Sequence, residues 1–167
     1  MSRAFVSDDK DNEPDLPPLR SPLPPGARNY MTPEGAAKLQ QEIEQLTVEE
    51  RPALAATVAH AGGGDAAPAE IREARHRMTA LDRRIEYLSE LKRTAEVVRH
   101  PPGPAERVAF GAVVTVRDEG DGATEEYTIV GVYESEPESG MVSWISPVAK
   151  ALIGKRPGDM VTLTLPA

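Results

Sequence analysis

The chain contains no cysteine, and this absence excludes disulfide bonds, thiolate metal sites and a cysteine nucleophile. Aromatic residues make up only 4% of the 167 residues, with a single tryptophan, two phenylalanines and four tyrosines. So few large rings cannot anchor one large core, and we therefore expect small cores or seams between helices. The sequence also lacks any run of about 18 apolar residues, so it predicts no transmembrane helix.

Positive charge is scarce as well. The 19 lysines and arginines are outnumbered by 27 acidic residues, which gives a formal net charge of −8 at pH 7. This balance argues against dispersed, sequence-independent binding to DNA, because such binding depends on neutralising phosphates. The first residues, MSRAFVSDDKDNEP, contain no apolar stretch, so we expect no secretory signal there. These features together predict a soluble, acidic, cytoplasmic protein.

Three segments with different residue patterns follow one another along the chain, and a short linker separates the second from the third. Residues 1–29 hold six of the 16 prolines and five acidic residues, and predict a disordered tail, with a PxxP ligand segment as the alternative. Residues 30–100 have a helical period, residues 101–105 form a proline-rich linker, and residues 106–167 have the period of two that is typical of strands. The sequence thus predicts a two-domain α+β protein, a helical hairpin followed by a small sheet domain.

The first helix of the hairpin has clear start and interruption signals. Thr32 is a typical N-cap residue and Pro33 suits the first helical position, so a helix should begin there. Pro52 lacks the backbone N–H that a helix interior needs, so we expect the helix to kink or restart at that point. Gly62-Gly63-Gly64 should then end the helix.

A second helix should open near residues 65–69 and continue past Leu91, with Ala95 and Val98 still on its surface. Apolar residues recur at steps of three and four through both helices, which is the spacing of a coiled-coil seam. Two helices of similar length joined by a short glycine-rich turn predict an antiparallel coiled-coil hairpin. Such a rod is too narrow to enclose a substrate.

Apolar residues at a period of two predict strands in the C-terminal region: Val108, Phe110 and Val113 to Val116, then Tyr127 to Val130, Val142 to Ile145 and Val161 to Leu165. Ser146 and Pro147 predict the start of a short helix that ends near Gly154. The expected domain is therefore one short helix on a strongly twisted sheet.

Several spaced motifs of this region resemble one protein family. They are Phe110-Gly111-Ala112, Ile129-Val130-Gly131, the stretch from Ser146 to Lys155, and Gly158-Asp159. With Thr32-Pro33-Glu34-Gly35 at the start of the hairpin, they resemble the bacterial GreA/GreB transcript-cleavage factors over residues 30–167. Residues 49–52 and 83–88 resemble the GreB branch. The resemblance implies an FKBP-like fold for residues 106–167, which would dock on bacterial RNA polymerase. It also implies a monomer whose hairpin enters the polymerase secondary channel.

The resemblance implies a chemical role for the hairpin tip. In the family the tip reads Gly-Asp-x-Ser-Glu-Asn-x-x-Tyr, and its Asp and Glu help to hold a catalytic Mg²⁺ at the active site of the polymerase, which itself hydrolyses the RNA. Here Asp65 keeps the first acid, Pro68 stands where the second should be, and the loop is one residue shorter. Glu70 is the nearest remaining acid. Asp65 and Glu70 are therefore the candidates for a shared Mg²⁺, and we expect neither a stably bound cofactor nor a catalytic residue of the protein's own.

Each tip residue also has a purely structural interpretation. Asp65 would serve equally as the N-cap of the second helix, and Glu70 as a first-turn acid that the helix dipole favours. Arg72 and Arg75 belong either to a solvated helix face or, as the resemblance implies, to a basic strip that contacts the 3′ end of the nascent RNA.

The resemblance places polymerase-docking contacts in the C-terminal domain, at Ser146, Pro147 and Val148. In the family an acid that pairs with the polymerase also follows closely after the motif at residues 129–131. Here Val132 and Tyr133 follow the motif and Glu134 is the first acid, so either Glu134 makes this contact or the affinity for the polymerase is changed. Prolyl isomerases with the FKBP fold line their pocket with aromatic side chains, and this domain has too few of them for us to expect that activity.

Two functions follow from these observations. The degenerate tip favours a regulator that occupies the polymerase channel and stimulates transcript cleavage weakly or not at all. The alternative is a fully active cleavage factor that lends Asp65, and Glu70 with it, to the polymerase magnesium site. A coiled-coil chaperone would leave the sheet domain unexplained.

Overall fold

A computed structural model describes residues 23–64, 67–100 and 103–164 of the chain. The described residues group into two compact units, one within residues 43–89 and the other formed by residues 23–42 together with residues 90–164. Most of the predicted tail, residues 1–22, lies outside the described ranges. Asn29, at the end of that predicted tail, is buried and begins the first strand. No helix among the described residues combines the length and apolarity needed to cross a membrane.

The first helix begins where its sequence predicts. Helix α1 (Pro33–Glu44) has Pro33 at its first position, and the backbone N–H of Gly35 donates to the Thr32 hydroxyl oxygen at 3.0 Å. This bond satisfies one of the amide groups that every helix start leaves open. The predicted N-cap at Thr32 is confirmed.

Pro52 is accommodated by a wide helical turn. A π-helical segment (Gln45–Glu50) precedes helix α2 (Arg51–Ala61), and the N–H of Arg51 donates to the carbonyl of Leu46, five residues earlier. A proline ring crowds the carbonyl four residues before it and offers no N–H. The extra residue in a π-turn lets the helix pass this point while the neighbouring amide keeps a partner. The predicted kink or restart thus takes the form of one wide turn.

The second long helix, α3 (Pro68–Thr94), begins within the predicted window. In the hairpin unit the apolar seam is buried at Leu46, Ala74 and Leu88, as the spacing predicts. An ion pair joins the two helices, with Arg51 Nε 2.7 Å from Asp82 Oδ1. The hydrogen bond from this guanidinium to Asp82, together with the carboxylate charge, raises the pKa of Arg51.

The second helix ends earlier than predicted. Residues 95–97 form strand β2 (Ala95–Val97), which runs parallel to strand β1 (Asn29–Met31), so Ala95 and Val98 do not continue the helix. The cause is a long-range contact: the Asn29 side-chain amide donates to the Leu91 carbonyl at 2.9 Å and caps the last helical turn. The N–H of Val98 then donates to the Met31 carbonyl at 2.9 Å, so the backbone bonds of this segment go to β1.

The C-terminal sheet has three strands in the order β3 (Val113–Arg117), β4 (Thr124–Val130) and β5 (Met141–Ser143). The β3–β4 pair is antiparallel and the β4–β5 pair is parallel. Helix α4 (Pro147–Leu152) contributes to the same core, which is formed by Tyr127, Ile129, Val142, Ala149 and Leu152. The predicted two-domain α+β fold, a helical region followed by a mixed sheet with one short helix, is confirmed.

Two of the segments predicted to be extended do not form strands in the described residues. Residues 108–110 have no strand partner, because Val108 exchanges both of its backbone bonds with the turn at Gly154 and Lys155, each at 2.8 Å. Residues 161–164 are likewise irregular, and residue 165 lies outside the described ranges. The apolar side chains of both segments still pack on the core. The alternating apolar residues in these two segments therefore indicate side chains that pack on the core, although the backbone does not pair with a neighbouring strand.

Candidate functional site

The hairpin tip is described on both sides of residues 65 and 66. Helix α2 ends at Ala61, and the N–H groups of Gly62 and Gly63 turn back to the carbonyls of Val58 and His60 at 3.1 and 3.0 Å. Asp65 lies outside the described residues, so its part in a shared Mg²⁺ site stays a prediction. Pro68 is the first residue of α3.

Glu70 is an exposed residue in the first turn of α3. Its backbone N–H donates to the Ala67 carbonyl at 2.9 Å. Its carboxylate bonds to no other described residue. Because the backbone here is already helical, the carboxylate can move only through its own side-chain torsions. Among the residues that the structure describes, no three His, Asp or Glu side chains come together as a metal cluster.

Arg72 and Arg75 lie three residues apart on the exposed surface of α3, the spacing that places two side chains on one helix face. In the described part of the hairpin neither guanidinium forms an ion pair. The next arginine differs, because Arg77 Nε lies 3.0 Å from Glu73 Oε1 one turn earlier. Near the tip, Arg72 and Arg75 thus have no acidic partner among the described residues, whereas Arg77 has one.

The predicted docking residues form one compact turn at the start of α4. The Ser146 hydroxyl accepts the N–H of Ala149 at 3.2 Å, and the Ser146 N–H donates to the Ser143 carbonyl at 2.8 Å. Pro147 is exposed at the first helical position, while Val148 is half-buried against the sheet core. A capped helix start with a fixed backbone, an exposed Pro147 and a partly exposed Ser146 suits a contact surface.

Glu134 is placed differently from the docking residue that we expected. Its relative exposure is 8%, and its Oε2 accepts the N–H of Thr32 and the N–H of Gly131, each at 3.0 Å. The Thr32 hydroxyl donates to Oε1. The loop after β4 turns this carboxylate inward because the open amides at the start of α1 bind an anion well. An exposed docking contact through Glu134 does not fit this geometry.

The contact between Glu134 and Thr32 joins residues 102 positions apart, and the motifs of the sequence did not reveal it. Gly35 was the one residue of the sequence that could have indicated a close contact here. A glycine inside the first turn of a helix weakens the helix, so it calls for a structural reason. Here that reason is space, because a Cβ at Gly35 would overlap the Glu134 carboxylate.

Comparisons with known proteins bear on both halves of the chain. The family model for the N-terminal region of transcription elongation factors matches residues 29–97, and the model for the GreA/GreB C-terminal region of such factors matches residues 103–167. The chain belongs to the GreA/GreB family of transcription elongation factors. The two matches in this GreA/GreB chain meet near the predicted linker.

Individual relatives of this GreA/GreB chain align with about four-fifths of its length. Transcription elongation factor GreA of Acidiphilium cryptum is 40% identical over 81% of this chain and 88% of its own length. GreA of Chloroflexus aurantiacus is 39% identical over 83% of this chain and 89% of its own length. The crystal structure of GreA factor homolog 1 of Thermus thermophilus aligns with a TM-score of 0.43 at 23% identity, over 84% of this chain and 92% of that one. The two named relatives are GreA factors, and the resemblance to the GreB branch stays a prediction.

Proposed function

We propose that this GreA/GreB-family protein docks on RNA polymerase through the turn at residues 146–148 and acts through its hairpin in the secondary channel. There it changes the behaviour of backtracked or paused elongation complexes and stimulates transcript cleavage weakly or not at all. It has no catalytic residue of its own, and any RNA hydrolysis is carried out by the polymerase. Its partners are the polymerase and the 3′ end of the nascent RNA.

The observation that carries the proposal is the start of α3 at Pro68. In the family resemblance this position belongs to the second of two metal-holding acids, and here a proline without a carboxylate occupies it as the first helical residue. Mg²⁺ demands near-ideal octahedral geometry and few protein ligands, so the loss of one of two carboxylates weakens its capture strongly. A tip with one such carboxylate therefore favours a protein that occupies the channel over one that helps to bind the catalytic Mg²⁺.

The alternative, a fully active cleavage factor, is favoured by one feature of the tip. The Glu70 carboxylate is exposed and bonds to no other described residue. It is thus available to join Asp65 at a Mg²⁺ held mainly by the polymerase, without breaking any contact. The two functions separate in one assay: purified protein is added to backtracked complexes, and both RNA shortening and pause lifetime are followed.

Docking through the α4 turn predicts a specific effect of charge at Ser146. Asp is a good N-cap, so Ser146→Asp keeps the helix start and adds a negative charge to the turn. We expect the affinity for the polymerase to fall roughly tenfold or more, because a misplaced charge in a contact must be desolvated. The measurement is competition with labelled unaltered protein. Ser146→Thr, which keeps the cap without charge, is the control, and full affinity of the Asp variant would refute docking at this turn.

Contact of the hairpin with RNA predicts that Arg72 and Arg75 act together. Each exposed charge contact contributes about 0.2–1 kcal/mol, so replacing both by Ala should raise the concentration for half-maximal effect on backtracked complexes by about two- to thirtyfold. Higher salt should shrink the difference. Arg77→Ala is the matched control, since that arginine is already paired with Glu73. Equal effects of the single control and the double change would argue against an RNA contact.

A further inference from the structure

The Glu134 carboxylate sits between two parts of the chain that are distant in sequence. On one side is Gly131, which directly follows β4, and on the other is the first turn of α1. Its neighbours all lie within the unit of residues 23–42 and 90–164: the amides of Thr32 and Gly131, the Thr32 hydroxyl, and the backbone of Gly35. We call this set, Glu134 with Thr32, Gly35 and Gly131, the Glu134 latch.

Thr32 links the latch to the helix itself. Its hydroxyl oxygen accepts the N–H of Gly35 at 3.0 Å, and its hydroxyl proton is donated to Glu134. The side chain therefore caps α1 and connects the cap to the loop after β4 at the same time. Bonds to an ionised carboxylate are stronger than bonds between neutral groups, and the start of a helix favours a negative charge.

The two glycines of the latch leave no room for a side chain. A Cβ at Gly35 would overlap the carboxylate, and a Cβ at Gly131 would overlap the Tyr30 carbonyl oxygen and lie 3.0 Å from Glu134 Oε2. Neither glycine has a left-handed backbone, so conformational freedom does not explain them. Close contacts explain them instead. The Glu134 carboxylate approaches Gly35, and both β1 and the same carboxylate approach Gly131.

We propose that Glu134 is a positioning residue, which holds the first turn of α1 on the loop after β4 and so fixes the root of the hairpin to the polymerase-docking domain. The inference rests on the proposed function, in which the docking turn lies in that domain and the hairpin acts elsewhere. A carboxylate that is 8% exposed and already accepts three hydrogen bonds does not contact the polymerase. Its effect on transcription passes through α1.

The test uses the full chain with Glu134→Gln and Thr32→Val, each compared with the unaltered protein. Glu134→Gln places an amide where the hydroxyl donates, and Thr32→Val removes that hydroxyl at nearly constant shape. Thr57→Val is the matched control, because among the described residues the Thr57 hydroxyl bonds only to the Ala53 carbonyl of its own helix. Thr32→Ser should restore the behaviour of the unaltered protein.

Three measurements are made on each variant: affinity for the polymerase by competition, the hairpin-dependent change in pause lifetime at saturating protein, and hydrogen exchange of the Thr32, Gly35 and Gly131 amides. For both latch variants we expect affinity within about threefold, a pause effect at least tenfold smaller, and exchange at least tenfold faster. Loss of affinity in Glu134→Gln but not in Thr32→Val would overturn the proposal, since Glu134 would then touch the polymerase.

Two further outcomes are decisive. Faster exchange with an undiminished pause effect would show that the latch forms but does not position the hairpin, and would overturn the inference. If the unaltered protein does not bind the polymerase, the proposed function fails instead. The exchange measurement, which needs no polymerase, would in that case still show whether Thr32 and Glu134 hold the two segments together.

Discussion

Backtracked elongation complexes supplied with Mg²⁺ and this protein are expected to shorten their RNA roughly 10²–10³-fold more slowly than with a family member that carries both tip acids. The loss of one of two metal-holding carboxylates removes about 2–4 kcal/mol of transition-state stabilisation, which corresponds to that range. The shorter loop adds to the loss, because an error of about 1 Å in the position of a catalytic group can cost roughly another 10²-fold. RNA length against time is the measurement.

Three single variants decide how the tip works. If cleavage is slow, Asp65→Ala and Glu70→Ala should change it little. Rapid cleavage that is abolished by Asp65→Ala would refute the prediction and indicate the ordinary family mechanism. Rapid cleavage that also disappears in Glu70→Ala would show that Glu70 had replaced the missing acid. Glu86→Ala, another exposed carboxylate of α3, is the control for the removal of charge alone.

Gly35→Ala is expected to destabilise the protein although alanine is the better helix former by about 1 kcal/mol. The new methyl group overlaps the Glu134 carboxylate and displaces it from its three donors. Overpacking and a lost buried hydrogen bond each cost about 1–3 kcal/mol, so after the gain in helix propensity we expect a net loss of about 1–5 kcal/mol in the free energy of unfolding. Urea unfolding followed by fluorescence measures it, since the single tryptophan, Trp144, packs on Tyr30 in the same unit.

The double variant Gly35→Ala with Glu134→Ala tests whether the two residues share a contact. Once the carboxylate is absent, the methyl group added by Gly35→Ala has space, so this change should be neutral or stabilising in that background. The two changes should therefore differ from additivity by at least about 2 kcal/mol. Gly120→Ala is the control within the same unit, because its Cβ would face only the exposed Asp118 side chain, which can move. Additive effects would mean that Gly35 and Glu134 do not share a contact.

Local features of this fold were predictable because their causes lie within a few residues. Thr32 and Pro33 indicate the helix start, and Ser146 and Pro147 indicate α4 in the same way. The position of the π-turn also follows from one residue, Pro52. Its π-helical form could not be predicted from that residue. In each case the chain satisfies its own amides with neighbouring groups, and the residue type reveals how.

The remaining features depend on contacts between distant residues, which no local pattern displays. Asn29 ends α3 by bonding to Leu91, 62 positions later, and so converts the expected last helical residues into a strand. Glu134, the first acid after a family motif, is a docking candidate by sequence, whereas in the fold its carboxylate is buried and bonds to Thr32. For the candidate site, the helix start capped by Ser146 was predictable, while the burial of Glu134 depends on the fold.

The parallel pairing of β1 with β2 has a mechanical consequence for the hairpin. Helix α1 continues from the C-terminal end of β1, and α3 leads into the N-terminal end of β2, so the two helix roots leave the strand pair at opposite ends. A force that pulls the roots apart loads the backbone bonds of the pair in shear, all at once. An antiparallel pair would place both roots at one end and let the bonds unzip one after another.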